Sequence, residues 1–483
     1  MSETPELANR NNGTTNNARW FWLALGFGIL IVSFFLPAPA GLKPAAFRTL
    51  GVMVTTVVWW ISEALPIPVT SFLVLPVLHF MKVLSFNVAM KEAFGDSIIA
   101  FVVGVLALSV AFSRSGLSKR LTYLLLLRSG TRVSMVVGVY FFVSFVISMF
   151  ITDVAVVAMM IPIVLGILET TKAEPGKSNI GKALMMAIMF GSTLGGITTP
   201  AGVTSNVVTM SFIAKNAKIG VSFLEWTKIA TPIFLVAGLV AWWLILKMFP
   251  PETDRLPFGR DLIGGELARM GRWTTPEIST MVVFLAAVAL WLTGELTKIP
   301  IAVVSLLILA GISLPRVGAI RKWGELEKGM EWGGLFIIVG GFALGVAATQ
   351  TGLASWVAKT ALAPLAVIPP VLQPMAITLL VAFDSLAFSS FTAAAAVNVP
   401  FIIAYAQQNG LPVLTLAMTA GFAASTHFIL VTESPSFVLP YAYGYFSFKD
   451  FAKIGVILTL LSAVLIGAGM VIAGMPAGVP LPK

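Results

Sequence analysis

The chain has no cysteine and only two histidines, His79 and His427. The first absence excludes disulfides, thiol nucleophiles and Cys-ligated metal, and the second leaves too little for a His-built metal site. Charge is scarce as well. Asp, Glu, Lys and Arg together make 11% of 483 residues, against about 25% in an ordinary soluble domain. What fills the chain is apolar: 58% of its residues are hydrophobic and the mean hydropathy is +0.94. Many runs of span length indicate an all-α polytopic membrane protein, since a transmembrane barrel would show only weak ten-residue alternation. The net charge of +10 does not imply nucleic acid, because Lys and Arg sit in short loops beside apolar spans, as the positive-inside effect requires.

Residues 1–19 are polar and Asn-rich and are expected to form a disordered cytoplasmic tail. A first apolar span follows at 20–36. Its small-residue end, Ala38-Pro39-Ala40, would suit a cleaved signal peptide, but the span is long for that and further spans follow at once. Spans at 45–61, 64–80 and 98–113 precede a segment, 114–132, that carries Arg114, Lys119, Arg120, Arg128 and Arg132 with no acid. That segment belongs on the cytoplasmic side, and counting back four crossings puts the N-terminus inside too. Later spans lie near 229–248, 278–293, 299–314, 332–349 and 454–473.

The stretch RVSMVVGVYFFVSFVISMFITDVAVVAMMIPIVLGILE (132–169) has two apolar arms too short to cross a bilayer, meeting at Thr152-Asp153. A lipid-facing break there would leave backbone groups unsatisfied, so it must be buried in protein or line a watery cavity. A carboxylate at membrane depth costs roughly 3 kcal/mol, which makes Asp153 a functional candidate; a paired or protonated structural Asp is the alternative. A second such hairpin, 372–405, breaks at Ser389-Ser390-Phe391-Thr392. Two spans are themselves broken: 183–210 at GGITTPAGVTSN and 414–445 at VTESPSF. The total is about eleven crossings and two re-entrant hairpins, with the C-terminus outside.

These elements repeat. GVLALSVAFSRSGL (104–117) lies over GGFALGVAATQTGL (340–353) at an offset of 236 residues, with seven of fourteen positions identical. At an offset of 238, residues 152–163 lie over 390–401 and keep two alanines and Pro162/Pro400. Five crossings separate the matched spans, so the repeats are inverted. Consistently, the counterpart of the basic 114–132 segment, 350–370, has only Lys359. Inverted repeats with broken helices in matching places indicate a secondary transporter with a midplane site, and half-helix N-termini favour an anion. Ordinary Gly/Pro kinks would not fall in four repeat-related places.

Four segments, WWISEALPIPVTSFLVLP (59–76), SMFITDVAVVAMMIPI (148–163), GGITTPAGVTSN (195–206) and YFSFKDFAKIG (445–455), together resemble the divalent anion:sodium symporter family, over nearly the whole chain from residue 20. The resemblance implies transport of di- or tricarboxylates, or in some members sulfate, by sodium symport or exchange. It also implies a homodimer in which a transport domain moves like an elevator against a scaffold. On that pattern, residues 20–95, 211–331 and 448–483 are scaffold, while 96–210 and 332–447 form the transport domain. The family carries Ser-Asn-Thr at each hairpin tip and Thr-Pro-Pro-Asn, or a variant, at each broken span. Carried over, the substrate-binding residues are Thr152, Asp153, Val154, Thr204, Ser205, Asn206, Ser390, Phe391, Thr392, Pro435 and Ser436. The cation-binding residues, for Na+ or H+, are Ser148, Thr152, Asp153, Gly196, Asn206, Ser389 and Thr392, with sodium expected at Asp153.

Only Asn206 of four expected asparagines remains. Ionised Asp153 offers only acceptors and would repel a dicarboxylate unless neutralised. It is therefore a sodium ligand, a coupling proton carrier, or the partner of a cationic part of the substrate. Phe391 and Phe437 stand where the family has amides, which suggests a lost or altered second cation site, unless they are ordinary packing residues. His427 and Glu433 are candidates for a proton relay, and Asp384 lies beside the second hairpin. The expectation is a secondary active transporter of small organic anions in a bacterial inner membrane, with Na+ or H+ as coupling ion, no other cofactor and no enzymatic activity. A proton-coupled carrier of sulfonate or sulfate is the alternative. A channel or an intramembrane enzyme fits less well, the latter having only Asp153 and Asp384 as thin support.

Overall fold

A computed structural model describes residues 16–127, 132–255 and 260–474. The expected tail ahead of residue 16, Arg128 and the end beyond residue 474 lie outside the described residues. The described residues form helices and no strand. The first part of the chain holds α1 (Asn16–Phe35), α2 (Pro44–Ser62), α3 (Ile67–Phe80), α4 (Phe86–Phe94), α5 (Ser97–Ser115) and α6 (Leu117–Leu126). The first hairpin is α7 (Val133–Ser148) and α8 (Asp153–Thr170), and the first broken span is α9 (Asn179–Ile197) and α10 (Thr204–Phe212). Next come α11 (Phe223–Met248), α12 (Arg260–Arg269), α13 (Thr275–Leu292), α14 (Gly294–Thr297), α15 (Ile301–Ile312), α16 (Trp323–Gly329), α17 (Trp332–Thr351) and α18 (Leu353–Thr360). The second hairpin is α19 (Gln373–Asp384) and α20 (Phe391–Gln408), the second broken span α21 (Val413–Ala423) and α22 (Pro435–Tyr441), and α23 (Phe448–Gly474) closes the fold.

Among the described residues ten helices are long and apolar enough to cross a membrane, and they include one arm of each hairpin, Asp153–Thr170 and Pro370–Ala387, so those arms are longer than the sequence suggested. The eleven expected crossings correspond to α1, α2, α3, α5, α9–α10, α11, α13, α15, α17, α21–α22 and α23, of which α3, α15 and α21 are short apolar helices. Large apolar side chains such as Phe80, Leu296 and Phe383 point outward, as a lipid-facing surface requires.

The repeat is visible in the backbone. Gly116 (φ 82°) and Gly352 (φ 84°) both adopt the left-handed conformation, ending α5 and α17 and letting α6 and α18 start at the next residue. Both belong to the repeated Gly-Leu pair, so that turn is fixed twice by the same residue type. The matched Gly104 and Gly340 serve close packing. A Cβ on Gly104 would collide with the Ser305 carbonyl of α15, and one on Gly340 with the Ser71 carbonyl of α3. Each repeat thus buries its glycine against the other repeat's short helix, with Ser71 and Ser305 turning their hydroxyls onto Ile67 (2.9 Å) and Ile301 (2.8 Å). Small residues that let backbones approach are what hold helices together where lipid removes the hydrophobic drive.

The helices pack around two hubs that meet along α17. One joins α2, α3 and α4 to α17, and α13 and α15 to α5; the other joins α7, α8 and α11 to α9, and α10, α19, α21 and α23 to one another through α20 and α11; α17 packs on α20 as well, and α10 on α5 and α17. Within the basic segment 114–132 the chain forms the amphipathic helix α6. Arg120 anchors it, donating from Nε to Glu277 Oε1 at 2.7 Å and from its guanidinium to the Met270, Gly271 and Arg272 carbonyls. That fourfold satisfaction is what allows a buried ion pair here.

Gly340→Val and Gly104→Val should each destabilise the protein by about 1–3 kcal/mol through overpacking, seen as a lower melting temperature in detergent. Gly28→Val, with open space around its Cβ, is the control and should melt as wild type. Equal melting of all three would remove the close-packing role of the repeated glycines.

Candidate functional site

The first tip is built from the end of α9. Pro200 cannot continue a helix, so the last carbonyls of α9 lose their partners and must find others. Asn206 supplies them: its Nδ2 donates to the carbonyls of Gly196 (3.0 Å), Ile197 (3.2 Å) and Thr199 (2.7 Å). The Trp226 indole adds a second bond to Ile197 at 3.1 Å. The Thr199 hydroxyl in turn donates to the Met149 carbonyl in the turn between α7 and α8. The hairpin tip is thereby fastened to the broken span, and Thr152 and Asp153 are presented at the N-terminus of α8.

At the second tip Ser390 caps α20, accepting from the Ala393 N–H at 3.5 Å, and Phe391 is the first helical residue. The second broken span opens earlier than the sequence suggested. Helix α21 stops at Ala423, so the irregular stretch runs over 424–434. The neighbouring α23 accounts for this. The Thr459 hydroxyl accepts from the Phe428 N–H at 3.0 Å, and only a glycine at 455 admits the Phe428 carbonyl.

Between these parts lies a cavity of about 220 Å³. The first hairpin contributes Thr152, Asp153 and Val154, and the second contributes Ser389, Ser390, Phe391 and Thr392. Thr204 comes from α10 and Pro435 from α22. Of the remaining expected residues, Ser148, Gly196, Ser205, Asn206 and Ser436 are buried behind this wall. Three polar contacts tie the repeats crosswise. The hydroxyls of Thr204 and Thr392 are hydrogen-bonded, Ser205 and Ser425 share a bond of 2.6 Å, and Asp153 meets the Ser436 hydroxyl. The cavity therefore collects the N-termini of α8, α10, α20 and α22, together with the starts of α3 and α17.

The two tips differ in character. Around the first, Ser148 Oγ, Asp153 Oδ2 and Asn206 Oδ1 are buried oxygens with no hydrogen-bond partner, and Ser148 Oγ lies against Gly196. Around the second, Phe391 and Phe437 meet with ring centroids 5.7 Å apart, and Phe437 also packs on Phe190, Phe428 and Phe451. Rings fill the space where the family has amides.

The other polar candidates separate clearly. Glu433 is buried and its carboxylate accepts the N–H groups of Leu430 (2.9 Å) and Ile429 (3.2 Å), so it holds its own turn together. Asp384 accepts from Asn398 Nδ2 at 2.9 Å, away from the cavity. His427 is fully buried, stands edge-on to Phe391 with centroids 5.2 Å apart, and has no hydrogen-bond partner on either ring nitrogen. Among the lining residues missed in the sequence, the one ionisable group is Glu331, at the start of α17. Asp96, just ahead of α5 and one position out of the repeat register, is a related signal, since an acid precedes the matched helix in both halves.

The sequence matches the family profile described as the sodium:sulfate symporter transmembrane region over residues 17–476. The sodium-dependent dicarboxylate transporter SdcS of Staphylococcus saprophyticus is 27% identical, covering 95% of this chain and 92% of its own. The protein of the same name from Staphylococcus aureus (strain USA300) is 26% identical, covering 92% and 89%. A membrane protein of Cupriavidus necator is 24% identical, covering 89% and 88%. Among solved structures, the Alcanivorax borkumensis YdaH transporter is similar in fold, with a TM-score of 0.56 at 14% identity over 84% of this chain and 90% of that one.

Asn206→Ala should orphan the carbonyls that end α9 and lower stability by about 1–3 kcal/mol, read as a drop in melting temperature. A variant that melts with wild type would show that the end of α9 does not depend on this side chain.

Proposed function

Because the chain belongs to the sodium:sulfate symporter family, whose members are membrane transporters and not enzymes, we propose that it is a sodium-coupled carrier of small organic anions, in the first place dicarboxylates. The observation that carries this reading is the convergence of helix N-termini and hydroxyls from both inverted repeats on one cavity. Each N-terminus favours an anion by about 0.3–1 kcal/mol and supplies free N–H donors. Thr152, Thr204, Ser390 and Thr392 add hydroxyls that can donate to carboxylate oxygens. The family relatives named as sodium-dependent dicarboxylate transporters support the substrate and the ion.

Asp153 supplies the coupling. Its charge repels a dianion until a cation sits beside it, and the unpartnered oxygens of Ser148, Asp153 and Asn206 are hard donors of the kind sodium prefers. The Thr152 and Gly196 carbonyls complete the set. A bound sodium converts the first tip from repulsive to attractive, so cation and anion bind together. With Phe391 and Phe437 packed into the second tip, Ser389 and Thr392 lack the amides of a second full site, and coupling rests on the first. Glu433 is committed to its turn, which leaves His427 as the weaker route for a proton.

The moving body in this reading comprises residues 96–210 and 332–447, with α5 and α17 joined to it through α10 and α20, and residues 20–95, 211–331 and 448–483 form the frame. A homodimer in the inner membrane, with the N-terminus inside and the C-terminus outside, completes the proposal.

Purified protein in proteoliposomes should accumulate radiolabelled succinate under an inward sodium gradient and not under a proton gradient alone. Asp153→Asn should raise the half-maximal sodium concentration about tenfold, equivalent to ~1.4 kcal/mol, with folding intact. Proton-driven uptake, or unchanged sodium dependence in the variant, would reject sodium coupling at Asp153.

A further inference from the structure

Glu331 stands at the N-terminus of α17 and lines the same cavity as Asp153, close enough for the two charges to repel. Glu331 is exposed where it lines the cavity, and the start of α17 stabilises its charge, so it needs no internal partner and is free to meet a cargo. The repeat provides a comparison. Asp96, which also precedes its helix but stands one position out of the repeat register, accepts from the Ile98 N–H at 2.9 Å and from the Ser211 hydroxyl, and it pairs with Lys215 at 3.2 Å. Glu331 forms no ion pair, and no described residue lining the cavity is Lys, Arg or His. One half of the molecule therefore supplies its acid with an internal cation and the other half leaves it facing the cavity. Asp153 adds a second, independent signal: it is 5% exposed, and its Oδ2 has no partner.

Resting on the reading of this cavity as a carboxylate site, we infer that the preferred cargo is an amino-substituted carboxylic acid, whose ammonium group is received by Glu331 and Asp153 while its carboxylates lie at the N-termini of α8, α10 and α20. An ammonium offers three N–H donors, and the two acids offer only acceptors. The cavity's donor side and acceptor side then match the two ends of one molecule. A plain dicarboxylate would satisfy the helix N-termini and leave Glu331 opposed by a like charge. A chelated divalent metal is the other source of positive charge. It demands several converging oxygen ligands, and no cluster of three or more acid, His or Cys side chains occurs among the described residues.

L-Aspartate and succinate differ only by the ammonium group and make the test. Their sodium-driven uptake would be compared in proteoliposomes of wild type, Glu331→Gln and Glu331→Asp. The inference expects wild type to half-saturate at least about tenfold lower for aspartate than for succinate. Glu331→Gln should erase that preference, mainly by weakening aspartate, and Glu331→Asp should restore part of it, with sodium dependence unchanged in both. Sodium-driven succinate uptake with no preference for aspartate in wild type, or an equal loss for both substrates in Glu331→Gln, overturns the inference and leaves the carrier reading standing. Citrate uptake that needs Mg2+ and vanishes with EDTA, without a preference for aspartate, overturns it in favour of a chelated metal. Absence of sodium-driven uptake for both probes overturns the inference together with the reading on which it rests.

Discussion

Every break in a helix at membrane depth leaves carbonyls and N–H groups that lipid cannot satisfy, and this fold answers that constraint by making the breaks satisfy one another. The carbonyls that end α9 go to Asn206, the turn of the first hairpin goes to Thr199, and the unwound stretch after α21 goes to Thr459 and to its own Glu433. Thr204 with Thr392 and Ser205 with Ser425 then join the first repeat to the second. Polar side chains that would be a liability in isolation become the fasteners of the interior. Because the carbonyl ends are covered and the N-terminal ends are left open to the cavity, the same arrangement that stabilises the breaks gives the cavity its preference for negative charge.

That preference is held in check by two acids, and the balance defines the chemistry. Helix N-termini contribute on the order of 1 kcal/mol apiece, while a buried carboxylate such as Asp153 opposes an anion by a comparable or larger amount at short range; Glu331, which is exposed, opposes it less. On the proposed reading positive charge therefore arrives with the cargo, as an ion, as part of the molecule, or as both, and coupling follows from that requirement.

Much of this was legible in the residues. The polar breaks at Thr152-Asp153 and at Ser390-Phe391 mark the two hairpins, though one arm of each is long enough to cross, and the turns at Gly116 and Gly352 carry the same Gly-Leu pair because the left-handed backbone favours glycine. What escaped the sequence was decided by tertiary neighbours. The early end of α21 depends on α23 pressing Gly455 against the Phe428 carbonyl, a contact about thirty residues away along the chain. Glu331 looked like one more charge at a span boundary until α3 and α8 were seen around it. Glu433 and His427 illustrate the opposite error. Both are buried and ionisable and so looked alike, yet one is hydrogen-bonded to its own turn and the other packs edge-on against Phe391.

The two tips differ in character, and the packing shows how. Phe437 sits in a cluster of tilted and edge-on rings with Phe190, Phe391, Phe428 and Phe451, so the second tip is filled without an ion. Asp153 does the reverse: it gives the first tip a buried carboxylate with one oxygen left without a partner. An aromatic floor on one side and a buried acid with one unpartnered oxygen on the other leave the charge of the cavity on α8 and, through Glu331, on the start of α17. On the proposed reading, a filled second tip leaves the filling of the cavity to these two charges.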